Sequence, residues 1–103
     1  MSKVSLVARI TAQEGKADEM IEALKNLMGA TDEEPGLEIY AAHQDTNNPE
    51  VFWFYELYTD NDALGVHGQG ERMKAAMGAM GGLLAGAPEI NLVTPVAAKG
   101  IEI

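Results

Sequence analysis

VFWFYELYT, Val51 to Thr59, is the stretch on which the fold turns. Its β-branched and aromatic residues suit a pleated strand. Successive side chains of a strand point to opposite faces, so Val51, Trp53, Tyr55 and Leu57 share one parity and Phe52, Phe54, Glu56 and Tyr58 the other. Neither parity is convincingly polar. A small sheet with helices on one side normally leaves its other side wet, so a strand apolar on both parities needs a second cover. In a chain this short the economical cover is another copy of the same chain, which predicts a homodimer.

Working outward, LEIYAAHQ (Leu37 to Gln44) is a second strand, and DTNNPE (Asp45 to Glu50) is a polar connection of hairpin length. The two strands should pair antiparallel. Before them, TDEEPG (Thr31 to Gly36) punctuates the chain, and KADEMIEALKNLMG places Ala17, Met20, Ile21, Leu24, Leu27 and Met28 on one helical stripe. Glu14-Gly15 turns into that helix, and Gly29 is a stop signal. VSLVARITA (Val4 to Ala12) reads as a first strand, apolar on both parities.

On the other side, TDNDALGVHGQGERM (Thr59 to Met73) opens with Thr59 or Asp60 as a helix cap. Met73, Ala76, Met77, Met80 and Leu84 then repeat at helical spacing towards Gly86. Gly78, Gly81 and Gly82 weaken that segment by up to roughly 1 kcal/mol each, and either permit close packing or leave it mobile. EINLVTPVA (Glu89 to Ala97) is a last strand, in which Pro95 fits an edge or an end. The order β-α-β-β-α-β predicts a ferredoxin-like α+β protomer: a four-stranded antiparallel sheet with two helices on one face.

The 103 residues make one domain, 1–103, with 98–103 read as an extended tail. A net charge of -9 argues against nucleic acid and anionic lipid as partners. The chain has no cysteine, which removes disulfides, thiol nucleophiles and thiolate metal sites. MSKVSLVARIT lacks a signal-peptide core, and no apolar run approaches the ~20 residues of a membrane span. These features read as a cytoplasmic protein.

Pro35-Gly36, Asp45, Tyr55-Glu56, Asp60, Asp62, Ala63-Leu64 and His67 follow a pattern that resembles the antibiotic biosynthesis monooxygenase family. The resemblance in element order runs from Val4 to about Val96. It implies a dimeric α+β barrel, formed by two sheets packed face to face, and a pocket between sheet and helices. It also implies oxidation of a small aromatic, polyphenolic or quinol-like compound by molecular oxygen without metal, flavin or haem, so no cofactor is expected. Two alternatives stay open on the same fold: isomerisation of a small carbonyl compound, and a non-catalytic small-molecule-binding dimeric module. Where relatives carry a second histidine, this chain has Gly70, Glu71 and Arg72.

His67 is the candidate catalytic residue, since an imidazole titrates near neutrality and can take a phenolic proton. Its other reading is a polar helix residue that hydrogen-bonds locally. Trp53 and Tyr55 are candidate substrate contacts, by stacking and by orienting a hydroxyl, or else core and interface residues. Arg72 can bind an anionic substrate at a pocket mouth or stand solvated. Met73 and Met77, with Met80, form an adaptable apolar helix face that suits core or pocket. Arg9 is expected to pair with Glu56 or Glu38 across the sheet, and His43 to cap the hairpin or the sheet edge. His43 and His67 lie far apart and no HExxH spacing occurs, so no metal is expected. No serine follows Ser5, which argues against a serine hydrolase.

Overall fold

The computed structural model describes residues 3–31, 34–66 and 71–103, with the side chains of 66 and 71–73 left aside. The elements are β1 (Val4–Thr11), α1 (Ala17–Gly29), β2 (Leu37–Gln44), β3 (Val51–Tyr58), α2 (Asn61–Val66), α3 (Glu71–Gly81) and β4 (Glu89–Val93). All strand pairings are antiparallel, in the order β2-β3-β1-β4. This is the ferredoxin-like arrangement, with β1 and β3 in the centre.

Five of the chain's six aromatic residues, all but Tyr40, lie on β3. The register pairs Ile10 with Phe52, Ala8 with Phe54 and Leu6 with Glu56, so these residues share the face that carries the helices. Met20, Leu24 and Leu27 of α1 and Met80 of α3 close over them in one core. Phe52 and Tyr58 are sealed, and each contributes roughly 1.5–3 kcal/mol through burial. The α1 stripe is the expected one, with Met20, Leu24 and Leu27 buried and Ala17, Ile21 and Met28 partly so.

Local chemistry sets the ends of these elements. Gly15 takes φ +79° in the turn before α1, a backbone shape that glycine adopts without steric cost. Asp60 caps α2 by accepting the Ala63 amide at 2.8 Å. At Gly36, a Cβ would come within 2.4 Å of the Ala63 Cβ, so α2 rests directly on the backbone that leads into β2. The Thr59 amide donates to the Gly36 carbonyl at 2.8 Å and fixes the same junction.

Some expectations change in detail. The second helical region is two helices, α2 and α3, rather than one, and α3 stops at Gly81 instead of near Gly86. After it, Ala85 donates to Thr11 and Gln13 donates to the backbone of Leu83, so the chain pairs briefly with the end of β1. Close packing does not explain Gly78 or Gly81, because a Cβ at either would meet nothing within 4 Å. The last strand ends at Val93, which leaves Pro95 beyond the ladder where its missing N–H costs nothing.

The back face of the sheet is uneven. Ser5 and Leu57 are buried there, at the end where Lys3 donates to the Glu102 carbonyl and brings the C-terminal segment back to β1. Towards the hairpin the face is open, with Trp53 40% exposed. Arg9 pairs with Glu89 on the neighbouring β4 and lies 5.8 Å from the Trp53 ring centroid. Its expected partners Glu56 and Glu38 do not take that role. Glu56 sits on the opposite face, and Glu38 accepts from Lys3 at 2.8 Å and Thr59 at 2.9 Å. Those two hydrogen bonds hold the Glu38 carboxyl below its ordinary value.

Candidate active site

A cavity of about 140 Å³ opens between the sheet and the helices. β1 contributes Leu6, Ala8 and Ile10, while α1 contributes Leu27 and α3 contributes Met77 and Met80. Tyr40 of β2 and Phe54 of β3 stand in its wall with ring centroids 5.9 Å apart and planes tilted by 52°. Pro88 and Ile90, at the start of β4, complete it. The walls are almost wholly apolar.

The exception is Glu56, which lines the same cavity and is 5% exposed. It reaches that position because β3 alternates: with Phe52, Phe54 and Tyr58 committed to the helix side, Glu56 must follow. Burying a carboxylate costs several kcal/mol unless hydrogen bonds replace its water. One such bond comes from the neighbouring parity position, where the Tyr58 hydroxyl donates to Glu56 Oε1. Burial first, and then this hydrogen bond and the carboxylate's charge, push the Tyr58 phenol well above its ordinary value. Tyr40 is raised too, by burial first and then by the negative charges of Glu56 and Glu34. Both phenols therefore stay protonated around neutrality, as hydrogen-bond donors beside an anion-capable group.

Of the residues singled out from the sequence, Met77 and Met80 line this cavity. Trp53 and Tyr55 point to the other face of the sheet. There the Trp53 indole donates to Asp45 Oδ1 at 2.9 Å, and the Tyr55 and Ser5 hydroxyls lie 3.5 Å apart. The indole N–H, followed by the amides of Asn47 and Asn48, holds the Asp45 carboxyl below its usual range. His43 is exposed opposite Trp53 on that same face. Arg72 and Met73 fall in the first turn of α3, where only the backbone is described. His67 lies outside the described residues.

Tyr40 and Glu56 are polar cavity residues that the sequence did not single out for a ligand. The available signal was Glu56 itself, a charge inside the most apolar strand of the chain.

Two other hollows lack this combination. A groove of about 1000 Å³ between α1 and α3 sets Asp18, Glu19 and Glu22 beside Ala76 and Ala79, with its acids in solvent. A depression of about 410 Å³ between α1 and β2 is bordered by Ile21, Met28, Ala42 and Gln44. Among the described residues, no group of three or more His, Cys, Asp or Glu side chains is placed to hold a metal ion. No described helix is long and apolar enough to cross a membrane.

The fold and cavity define a ferredoxin-like α+β protein with an apolar chamber under its helices. The chain belongs to the antibiotic biosynthesis monooxygenase family, whose model matches residues 3–79. Among solved structures it is similar to a Caulobacter crescentus protein described as a candidate antibiotic biosynthesis monooxygenase, with 33% identity, TM-score 0.87, and coverage of 93% of this chain and 92% of that one. A Pseudomonas aeruginosa protein shares 27% identity at TM-score 0.83, over 94% of this chain and 97% of that one. A conserved protein from Methanosarcina mazei shares 26% identity at the same TM-score of 0.83, over 90% and 92%. No curated protein matches the chain.

Proposed function

We propose that this chain is a cofactor-independent monooxygenase that oxidises a small aromatic or quinol-like compound with molecular oxygen in the cavity under the helices. One observation carries this reading within the family: a largely apolar chamber with a buried carboxylate, Glu56, in its wall. Apolar walls favour an uncharged ring and dissolved oxygen over water, and an acceptor aimed at the ring's hydroxyl makes the ring a better electron donor. The overall reaction needs no external reductant. A phenol and one O2 give a 1,4-quinone and one water: a ring C–H is replaced by C=O, the second oxygen atom leaves as water, and the substrate supplies all four electrons. His67 is the proposed proton-transfer or orienting group, and Arg72 and Met73 are proposed substrate contacts. Trp53 and Tyr55, on the far face of the sheet, would act on a ligand only through the sheet or at a subunit boundary.

The functional unit in this proposal is a cytoplasmic homodimer joined through the back faces of the sheets, closing a dimeric α+β barrel. Open apolar surface at Trp53 and Val93 supports it. Two measurements test the proposal. Oxygen uptake with a panel of hydroquinones and polyphenols should exceed background for the metal-stripped wild type and fall in His67→Ala; equal background rates in every sample would reject the enzyme. Sedimentation over a concentration series should give a dimer that Trp53→Glu splits. A wild-type species of 11.0 kDa at micromolar concentration would reject the homodimer.

A further inference from the structure

We propose that Met77, on the movable side of the cavity mouth, sets which ligands enter: with methionine there the chamber admits an uncharged single ring and turns away two fused rings. The inference deepens the reading above and rests on this cavity being the substrate chamber.

The cavity has a sealed floor and an open rim. Leu6, Ala8, Ile10, Leu27 and Phe54 line it and are buried, whereas Met77, Pro88 and Ile90 line it and are exposed, Met77 by 46% and Ile90 by 62%. A ligand therefore passes between α3 and the start of β4.

The two sides of that mouth differ in stiffness. Ile90 is held in the sheet opposite Ala8, and the Pro88 ring fixes its own φ. The other side is a helix with little to hold it down: among the described side chains of α3, from Lys74 to Gly81, only Met80 is buried, with Ala76 half-buried. Gly78 weakens the helix further, because glycine destabilises a helix interior relative to alanine. Nothing stands within 4 Å of the Cβ that Gly78 lacks, so no close packing offsets that loss. Few buried contacts and a glycine within the helix put α3 at the low-stability end of the fold. Its C-terminal end is tied, since the Gln13 amide donates to the Leu83 carbonyl at 2.8 Å. Movement is concentrated ahead of that tie, where Met77 stands.

Size gives the movable side its task. At about 140 Å³ the cavity matches the apolar voids of about 150 Å³ that take one benzene ring. A second fused ring exceeds that space, and the floor residues cannot give way without disrupting the core. The Met77 side chain is unbranched and adapts to the edge of one ring, yet its thioether occupies the rim where a second ring would lie. Alanine at this position removes the CH2, the sulfur and the methyl beyond Cβ and opens that side. A charged ligand is disfavoured whatever its size, because the largely apolar walls cannot replace its water.

Binding of toluene and naphthalene to wild type, Met77→Ala and Met77→Phe, followed by NMR of isotope-labelled methionine methyls, tests the assignment. Neither probe carries a polar group, so size and shape alone separate them. We expect wild type to bind toluene about tenfold or more tightly than naphthalene, Met77→Ala to bring the two within about threefold by admitting naphthalene, and Met77→Phe to weaken both about tenfold by filling the rim. Gly78→Ala, at a position with room for its Cβ, should slow toluene exchange severalfold and keep the preference. Equal affinity of wild type for the two probes, no binding of either, a preference unchanged in Met77→Ala, or exchange no slower in Gly78→Ala overturns the proposal. Should Met77→Ala not fold, Met77→Phe decides, and toluene bound by it as tightly as by wild type overturns the proposal. Oxygen uptake above the protein-free rate, with hydroquinone and 1,4-naphthohydroquinone, separates the two readings. A Met77-dependent ring preference without uptake supports the filter and rejects the monooxygenase. Uptake whose ring preference is the same in wild type and Met77→Ala supports the monooxygenase and overturns the filter.

Discussion

The two faces of β3 are built from similar residues and do opposite work. On the helix side Phe52, Phe54, Glu56 and Tyr58 are all buried, and the single charge among them has become part of a cavity wall. On the back side Trp53 is exposed, Tyr55 is half-buried, and polar tips are tied down by Asp45, Arg9 and the hairpin. Hydrophobicity along the strand does not separate these faces. What separates them is their partners: Leu6, Ala8 and Ile10 on one side of β1, and Ser5, Val7 and Arg9 on the other.

That contrast breaks most visibly if the faces are truncated in turn. Phe54→Ala should destabilise the fold by about 3–5 kcal/mol, as expected for deleting a buried ring that leaves a cavity. Trp53→Ala should cost far less in the monomer, about 1 kcal/mol, because a large part of its indole already meets water. Urea denaturation followed by circular dichroism checks both, and equal losses would mean that the back face is as sealed as the helix side.

Alkaline titration probes the same asymmetry through the phenols. The folded-state values of Tyr40 and Tyr58 lie above that of an unfolded tyrosine, about 10. A raised folded value favours the protonated, folded form, so its stabilisation is complete below about pH 10 and is lost as pH rises above that. Tyrosinate absorbance for Tyr40 and Tyr58 should appear only together with unfolding. Ionisation of both in a chain that remains folded would refute their sealed environment.

Smaller effects sharpen the picture. Tyr58→Phe removes a donor from a buried carboxylate and should cost about 1–3 kcal/mol, again read from urea midpoints. Arg9→Ala removes an exposed ion pair and a cation–π contact on the other face and should cost at most about 1 kcal/mol. A larger loss for Arg9 than for Tyr58 would invert the ranking of the two faces.

Much of this architecture is readable from periodicity. The α1 stripe, the β2–β3 hairpin and the split β-α-β order follow from local spacing, which is why they agree with the structure. The cavity does not, because its walls come from β1, β2, β3, α1, α3 and the start of β4, and no local pattern reports how those elements converge. The inward face of β3 was hidden for a related reason. Both of its parities are apolar, and only the pairing of Arg9 with Trp53, more than forty positions apart, marks the outward one. Offering Glu56 beside Glu38 as the partner of Arg9 puts it on the wrong side of the sheet and conceals a carboxyl group in the chamber wall.

The strand order also sets a schedule for a chain made from its N-terminus. β1 is synthesised first, yet its two neighbours are β3 and β4, which start forty and seventy-eight residues after β1 ends at Thr11. At translation rates of about 5–20 residues per second, β1 waits about 2–8 s for its first partner and about 4–16 s for its second. Only the β2–β3 hairpin pairs locally, so it is the natural first piece of the sheet, and β1 arrives at it from behind. For these seconds the segment most exposed to a ribosome-associated chaperone is VSLVARIT, the centre of the finished sheet.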